Sequence, residues 1–298
     1  RAGIGKLILI DRDVVEVSNL QRQSLFDEND VGKPKALAAK EHLNNINSDV
    51  EIDFFIDDLN FNNIDKIISI NKFNNNKYNK KIKNDTNLIL DCTDNLEARF
   101  LVNDFSIKNK IPFIYSSAVG SKGYIFNIVP NKTPCLRCFL KEAMQLDTCE
   151  TAGVLNTITN LISSIQANEA IKIFLNKNYE KDLLFFNIWN NELSKIKINK
   201  NKNCVCCAKH DFEYLSGKKS SRIAKLCGDN IYQIKTKSTD EKQFNDLTNK
   251  LKKVGKVVDF EYCINFDSKI TIFHDGRALI KAKDEKEAKS LYSKFVGN

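Results

Sequence analysis

The chain has 298 residues, which is enough for a sizeable hydrophobic core and for two domains. Hydrophobic residues make up 42% of the chain and charged residues 28%, the composition of an ordinary soluble globular protein. No apolar run reaches the length of a membrane span and no signal peptide is recognisable, so we exclude a membrane partner and expect a cytoplasmic protein.

The net charge of +8 is compatible with a nucleic acid, an acidic protein or a nucleotide as partner. Many of the lysines lie in a polar stretch, residues 71–84, which has the composition of a solvated insert. We therefore do not expect a nucleic-acid partner.

Predicted strands and helices alternate along the first two thirds of the chain. The predicted strands are residues 6–11, 50–57, 87–95, 111–120 and 123–130, and the predicted helices are residues 31–47, 61–70, 96–110 and 157–175. A hairpin follows at residues 182–200. This alternation predicts an α/β fold with a Rossmann-like, doubly wound, mostly parallel sheet and an antiparallel extension. The mostly apolar helix 157–175 is either a core helix or an interface helix.

A stretch rich in Lys, Asn, Cys and Ser, residues 201–221, separates this part from the last one. We place one domain at residues 1–210 and a small α+β domain at residues 222–298. The last part contains two predicted helices and several strands, with a hairpin turn at His274, Asp275 and Gly276.

Two acidic residues lie where ligands bind in such sheets, beyond the carboxyl ends of strands. Asp11 ends the first predicted strand and Asp94 follows a later one. An acid at this place often holds ribose hydroxyls, although Asp11 alone fits a helix cap or a loop equally well. Gly3 and Gly5 precede a strand, so they are not phosphate-binding glycines, which must follow a strand and open a helix.

Basic residues follow Asp11 closely, in SNLQRQ at 18–23 and GKPK at 32–35. A triphosphate requires fixed cations, and Arg22 and Lys35 are of the right types. Taken alone, each fits an ordinary surface charge as well.

Four of the nine cysteines form two CxxC pairs, Cys135 with Cys138 and Cys204 with Cys207. Four thiolates with this spacing are typical of a closed, tetrahedral, structural Zn²⁺ site that joins two distant loops. Cys206 lies inside the second pair and leaves the choice of ligands open. Four unrelated thiols are the alternative interpretation.

Five motifs in order, IDRDVVEVSNLQRQSLFDENDVGKPKA, LDCTDN, PCLRC, TCETAGV and CVCC, resemble the ThiF/MoeB family over residues 1–210. These proteins are relatives of ubiquitin-activating enzymes. The resemblance implies ATP-dependent and Mg²⁺-dependent adenylation of the C-terminal glycine of a ubiquitin-like sulfur-carrier protein that ends in Gly-Gly. The product serves sulfur transfer, in some members with a sulfur donor, or protein conjugation. The resemblance also implies a homodimer, and it favours Cys204 and Cys207 as zinc ligands.

The resemblance further implies a role for each residue that matches a motif. The nucleotide would be held by Asp11 at the ribose, Asp13 near the magnesium and phosphates, Asn19 and Arg22 at the phosphates, Lys35 at the triphosphate, and Asp94 through Mg²⁺. Arg22, Lys35 and Asp94 would also act in catalysis. Cys149 matches a position at which some members carry a reactive thiol, whereas others need none.

Two family features, a glycine-rich loop and an arginine ahead of it, are missing from this sequence. We therefore expect that the chain lacks its true N-terminus, and that the full-length protein catalyses ATP–pyrophosphate exchange while this stretch does not. The C-terminal part resembles an extension that many archaeal members of the family carry. Such an extension would either recruit the carrier or acceptor protein or stabilise the enzyme. Two other functions stay open: a non-catalytic partner subunit that binds a ubiquitin-like protein, and an NAD-dependent oxidoreductase.

Overall fold

The computed structural model describes residues 1–68, 86–141, 153–219, 231–235, 241–260, 262–274 and 276–297. Cys149 and the polar stretch 71–84 lie outside these residues. The chain divides into two compact units, one formed by Arg1–Asp58 with Ser221–Asn298 and the other by Leu59–Ser220. The division into domains at 210 and 222 stays a prediction.

The N-terminal segment of the first unit is a β–α–β element. It contains β1 (Lys6–Ile10), α1 (Lys35–Ile46) and β2 (Glu51–Phe55). The two strands are parallel and pair from Lys6 opposite Glu51 to Ile10 opposite Phe55. Ala36, Ala38 and Ala39 are buried in α1, whose small side chains allow close packing. The strand predicted at residues 6–11 corresponds to β1, whose residues are half-buried in a sheet that has two strands among the described residues.

The second unit is built on a five-stranded sheet. Its elements are α2 (Ile64–Ile68), β3 (Ile89–Leu90), α3 (Leu96–Asn109), β4 (Phe113–Val119), β5 (Lys122–Ile128), α4 (Asn156–Phe174), β6 (Leu183–Asn187) and β7 (Glu192–Ile196). The strand order is β3-β4-β5-β6-β7. β3 and β4 are parallel across α3, and the remaining neighbours are antiparallel. The predicted α/β fold with an antiparallel extension is confirmed, and one of the four neighbouring strand pairs in this sheet is parallel.

Helix α4 packs one face on β4 and β5. Ile158 and Ile162 on the helix join Ile114 and Ile125 on the strands in one buried cluster. Gly123 makes this close approach possible, since a Cβ atom there would lie 2.4 Å from Ile162. The buried face of α4 therefore belongs to the core of its unit.

The C-terminal segment, in the first unit, is a small α+β module as predicted. It contains β8 (Ile231–Lys235), α5 (Glu241–Lys252), β9 (Val257–Asp259), β10 (Cys263–Phe266), β11 (Ile270–Phe273), β12 (Arg277–Lys281) and α6 (Glu285–Phe295). The antiparallel sheet has the order β8-β12-β11-β10-β9. Gly276, with a φ of 81°, donates its amide to the Phe273 carbonyl oxygen at 3.0 Å, which places a turn between β11 and β12 as predicted.

Within the described segments, none of the helices combines the length and the apolar composition that a membrane span needs.

Candidate active site and metal centre

The loop after β1 brings two predicted acids together with Lys35. The amide of Asp13 donates to Oδ1 of Asp11 at 2.9 Å. The carbonyl oxygen of Asp13 accepts from the Lys35 amide at 2.9 Å, and Lys35 Nζ lies 3.5 Å from Asp13 Oδ2. Asp11, Asp13 and Lys35 therefore form one cluster at the carboxyl end of β1.

Asp11 has an unusual protonation equilibrium in this cluster. Burial raises the pKa of Asp11 to about 6, and the neighbouring charge of Asp13 acts in the same direction. The positive charge of Lys35 opposes both effects. A bound cation near these carboxylates would favour their ionised forms.

Ion pairs also fix the side chains of Arg12 and Asp13. Arg12 Nη1 forms an ion pair with Asp58 Oδ1 at 2.7 Å, and Arg12 Nε lies 3.8 Å from Asp13 Oδ1. That Oδ1 atom is buried and accepts no hydrogen bond among the described residues. Unsatisfied buried oxygens are rare in folded proteins and concentrate at functional positions, so this loop is a candidate binding element.

Lys35 is the first residue of α1. The helix was predicted to start at residue 31, but residues before Pro34 instead pair with the loop after β1, residues 11–15, which we call the strand-end loop. In this pairing the Val15 amide donates to the Lys33 carbonyl oxygen at 2.8 Å. A helix N-terminus carries partial positive charge, which disfavours a cation there and favours an anion. The lysine and the helix terminus together make this a suitable place for a phosphate.

Asn19 and Arg22 have local partners. Asn19 is buried in a 3₁₀ turn, Val17–Asn19, and its Oδ1 accepts from the Glu16 amide at 3.1 Å. Arg22 Nη1 donates to the Ser18 carbonyl oxygen at 2.8 Å. Their predicted contacts with phosphates stay predictions.

In the second unit, a buried ion pair fixes the turn between β3 and α3. Asp91 Oδ2 accepts from Arg99 Nε at 3.0 Å, and its Oδ1 accepts from the amide and hydroxyl of Thr93. Burial raises the pKa of Asp91, although the charge of Arg99 opposes the shift. Asp94 follows in the same turn and is exposed, and its carboxylate makes no hydrogen bond or ion pair among the described residues. Its side chain is therefore available to a ligand.

Two more polar side chains support this turn. Ser116 Oγ donates to the Asp91 carbonyl oxygen at 2.7 Å, and Gln166 Nε2 donates to the same oxygen at 2.9 Å. These residues and the Asp91–Arg99 pair were not predicted from the sequence. Gln166 could have been identified from the sequence, because a polar residue on the apolar, core-facing side of a helix requires a buried hydrogen-bond partner.

The four predicted zinc ligands meet in the second unit. The Sγ atoms of Cys135, Cys138, Cys204 and Cys207 all lie within 4.8 Å of one another. Three of the separations are 3.6 Å for Cys135 to Cys204, 3.5 Å for Cys138 to Cys207 and 3.9 Å for Cys135 to Cys138. Thiolates at about 2.3 Å from a tetrahedral Zn²⁺ lie about 3.8 Å apart, so the cluster fits this ion.

Cys206 has a different environment from the four clustered cysteines. It is buried, and its Sγ accepts from Asn103 Nδ2 at 3.3 Å. Asn103 Oδ1 accepts from the amide of Leu136, inside the first CxxC pair, at 2.8 Å. One buried amide on α3 thus connects the loops of both pairs, and Cys206 is not one of the four clustered thiols.

Comparison with known proteins identifies the relatives of this chain. It is 38% identical over 308 aligned positions, covering 100% of the chain and 87% of the relative, to the sulfur carrier protein ThiS adenylyltransferase of Bacillus subtilis. It is 30% identical over 210 positions, covering 69% of the chain and 72% of the relative, to the SAMP-activating enzyme E1 of Haloferax volcanii.

A solved structure of Escherichia coli MccB, with MccA-N7isoASN, has a similar fold, with a TM-score of 0.57 at 20% identity. The match covers 69% of this chain, which spans 60% of the MccB chain. The family model described as ThiF family matches residues 1–207. The chain belongs to the ThiF family.

Proposed function

We propose that this protein is an adenylyltransferase that transfers AMP from ATP to the C-terminal glycine of a ubiquitin-like sulfur-carrier protein. The observation that carries the proposal is the similarity, over the whole chain, to the ThiS adenylyltransferase. In the reaction, a carboxylate oxygen of the glycine attacks the α-phosphorus in line. The bond from that phosphorus to the β-phosphate oxygen breaks, pyrophosphate leaves, and an acyl-adenylate remains.

The cluster at the end of β1 supports nucleotide binding in the first unit. Asp11 Oδ1 is fixed by the Asp13 amide, which orients the carboxylate for the two ribose hydroxyls. Lys35, at the start of α1, neutralises negative charge on the triphosphate. Asn19 and Arg22 are proposed to contact phosphate oxygens, for which Arg22 would give up or share its contact with Ser18.

Asp94 is the proposed Mg²⁺ ligand. Its exposed carboxylate fits a hard cation that prefers oxygen ligands and retains several waters. When bound, Mg²⁺ offsets the charge that develops on the leaving pyrophosphate. The Asp91–Arg99 pair holds the turn that carries Asp94, so this acid is presented by a rigid element.

The four clustered cysteines are proposed to hold Zn²⁺ as a structural ion, because they leave no open position for a substrate. We also propose a homodimer that uses a carrier ending in Gly-Gly and, for sulfur transfer, a sulfur donor. Cys149 is proposed to react with the activated carrier. Replacing Cys149 by Ala would leave adenylation intact and abolish downstream transfer, whereas unchanged transfer would refute this role.

ATP–pyrophosphate exchange by the full-length protein tests the proposed function. We expect exchange only when a small carrier protein ending in Gly-Gly is added. The matched control is the same carrier without its last glycine, which lacks the correctly placed carboxylate. Binding of the carrier without any exchange would contradict the proposal and support a non-catalytic partner subunit.

A further inference from the structure

Arg277 of the C-terminal module contacts the ends of both N-terminal strands within the first unit. Its Nη1 donates to the Arg12 carbonyl oxygen at 3.0 Å and its Nη2 donates to the Ile56 carbonyl oxygen at 2.8 Å. Arg12 lies between Asp11 and Asp13, just beyond β1, and Ile56 directly follows β2. One guanidinium therefore joins the carboxyl ends of the two parallel strands.

The environment of Arg277 fixes its guanidinium. The side chain is fully buried and its charged group lies 4.1 Å from the centre of the Phe273 ring. A buried cation is costly unless it is hydrogen-bonded, and the planar guanidinium can donate to two carbonyl oxygens at once. Such a costly group at the start of β12 indicates a specific role for the contact with the loop.

Other contacts from the C-terminal module reach the same region. Gln233 Nε2 donates at 3.2 Å to Asp58, the acid that forms the ion pair with Arg12. Val14 lies in a buried cluster with Phe273 and Leu279 of β11 and β12. The module thus supports the loop on both sides of Asp13.

The C-terminal module also contacts the segment that precedes Lys35. The ring of Phe260 lies against Gly32, where a Cβ atom would be 2.8 Å from the ring and where φ is +92°. Only glycine accommodates both the backbone conformation and the close ring. Gly32 donates its amide to the Val15 carbonyl oxygen at 2.8 Å, so the Phe260 contact also bears on the strand-end loop.

We propose that Arg277 is a positioning residue for nucleotide binding: it holds the Arg12 carbonyl so that the carboxylates of Asp11 and Asp13 stay aligned with Lys35. The inference rests on the proposed use of ATP. The two acids repel each other, and their separation is set by the backbone that Arg277 anchors. Displacement of reacting or binding groups by about 1 Å can reduce an enzymatic rate by about 100-fold.

Three variants of the full-length protein test the proposal. Arg277→Met removes the hydrogen bonds and keeps much of the side-chain volume, while Arg277→Lys retains a cation that can reach fewer acceptors. Lys281→Met is the matched control, since this lysine is on the same strand and exposed. Circular dichroism and thermal unfolding establish which variants are folded.

Hydrogen exchange gives a readout that does not depend on activity. The amides of Asp13, Val15 and Lys35 donate hydrogen bonds within the loop region. We expect these amides to exchange about tenfold faster in Arg277→Met than in the control, with intermediate rates in Arg277→Lys and unchanged rates in β10 and β11. Equal rates in Arg277→Met and in the control would overturn the proposal.

Steady-state kinetics separate positioning from general damage. In Arg277→Met we expect KM for ATP to rise about 10- to 100-fold, with KM for the carrier within about twofold of wild type. A similar rise in both KM values would overturn the positioning role. If Arg277→Met does not fold, Arg277→Lys and the control decide by the same measurements. If wild type shows no exchange activity, the proposed function fails, and the amide rates still decide whether Arg277 holds the loop after β1 in place.

Discussion

At the scale of single residues, Lys35 is in a position that helix stability alone does not favour. A lysine at the first position of a helix faces the positive end of the helix dipole, and the ion pair with Asp13 at 3.5 Å offsets this only in part. A phosphate bound at this helix terminus would be attracted both by the helix dipole and by the charge of Lys35. The electrostatics of the residue thus point to binding rather than to folding.

We predict that Lys35→Gln lowers ATP–pyrophosphate exchange about 10²- to 10³-fold, because the charge that stabilises the transition state is lost. The free energy of unfolding should stay within about 0.5 kcal/mol of wild type, since loss of the ion pair and relief of the dipole repulsion oppose each other. Exchange assays and urea unfolding measure the two quantities. Lys33→Gln, in the same GKPK segment, is the control and should retain exchange. Full activity in Lys35→Gln would refute the assigned role.

Asp11 gives a prediction about pH, because its pKa in the folded protein is about 6 against an ordinary value of 3.8. The folded carboxyl binds its proton more tightly than the unfolded one. Its contribution to stability is therefore fully present below about pH 4 and is lost as the pH rises through 6. Above pH 6 the buried carboxylate destabilises the fold, on the order of 1–3 kcal/mol.

We expect Asp11→Asn to unfold at a higher temperature than wild type at pH 7.5, with the difference vanishing near pH 4. The amide oxygen of Asn can still accept from the Asp13 amide, so the loop geometry is kept. The same variant should bind ATP more weakly, which calorimetric titration measures. A difference in melting temperature that does not change between pH 4 and 7.5 would exclude the pKa shift as its cause.

At the scale of elements, α3 connects the two halves of the cysteine cluster. Asn103 on this helix accepts from the Leu136 amide and donates to Cys206, and both contacts are buried. The two CxxC loops are about 65 residues apart in sequence, so a helix that contacts both reduces the freedom of the apo site. The geometry of the four thiols depends on this helix as well as on the metal.

We predict that Asn103→Ala lowers the affinity for Zn²⁺ about 10- to 100-fold, as loss of supporting contacts does at other metal sites. Leaving the Leu136 amide without an acceptor should also lower the free energy of unfolding by about 1–3 kcal/mol. Competition with a chromophoric chelator measures the affinity. Asn109→Ala, at the exposed end of the same helix, is the control. Equal zinc affinity of the two variants would contradict the supporting role of Asn103.

The elements were predictable where a local pattern determines them. The CxxC spacing predicts a four-thiolate cluster because adjacent ligands lie in one loop, and the structure brings the four sulfurs together. The residues 87–95 were predicted as a strand, but the strand ends at Leu90 because the side chain of Asp91 caps the following turn. Side-chain hydrogen bonds of this kind compete with strand pairing and are not encoded in the apolar pattern.

At the scale of the whole molecule, the grouping of segments depends on contacts that no local pattern encodes. Arg277 and Arg12 are separated by 265 positions in sequence, yet they are hydrogen-bonded in the first unit. The C-terminal module was predicted as a separate domain, and its contribution to the strand-end loop could not be inferred from spacing. Its composition, with buried Cys263 and Leu279, does indicate an apolar core, but it does not indicate which other segments of the chain pack against this core.

Each unit has its own hydrophobic clusters, which gives a prediction for zinc removal. Tyr232, Phe244 and Ile264 belong to a cluster of the first unit, whereas Ile125 and Ile158 belong to a cluster of the second. The cysteine cluster lies wholly within Leu59–Ser220. Loss of a structural metal should therefore destabilise the second unit first. We expect its free energy of unfolding to fall by more than about 4 kcal/mol, which corresponds to a decrease of about 10 °C in its melting temperature.

We expect a Cys207→Ser variant, or wild type treated with a strong chelator, to lose amide protection in β4 and β5 while β10 to β12 keep theirs. Hydrogen exchange followed by mass spectrometry distinguishes the two sheets within one sample. Cys263→Ser, a buried cysteine of the first unit, is the control and should show the opposite pattern.

Below its new melting temperature the zinc-free protein should still catalyse exchange, because the proposed nucleotide ligands do not include the thiols. Simultaneous loss of protection in both sheets would mean that the units unfold together, and loss of exchange in the folded protein would give the metal a part in catalysis.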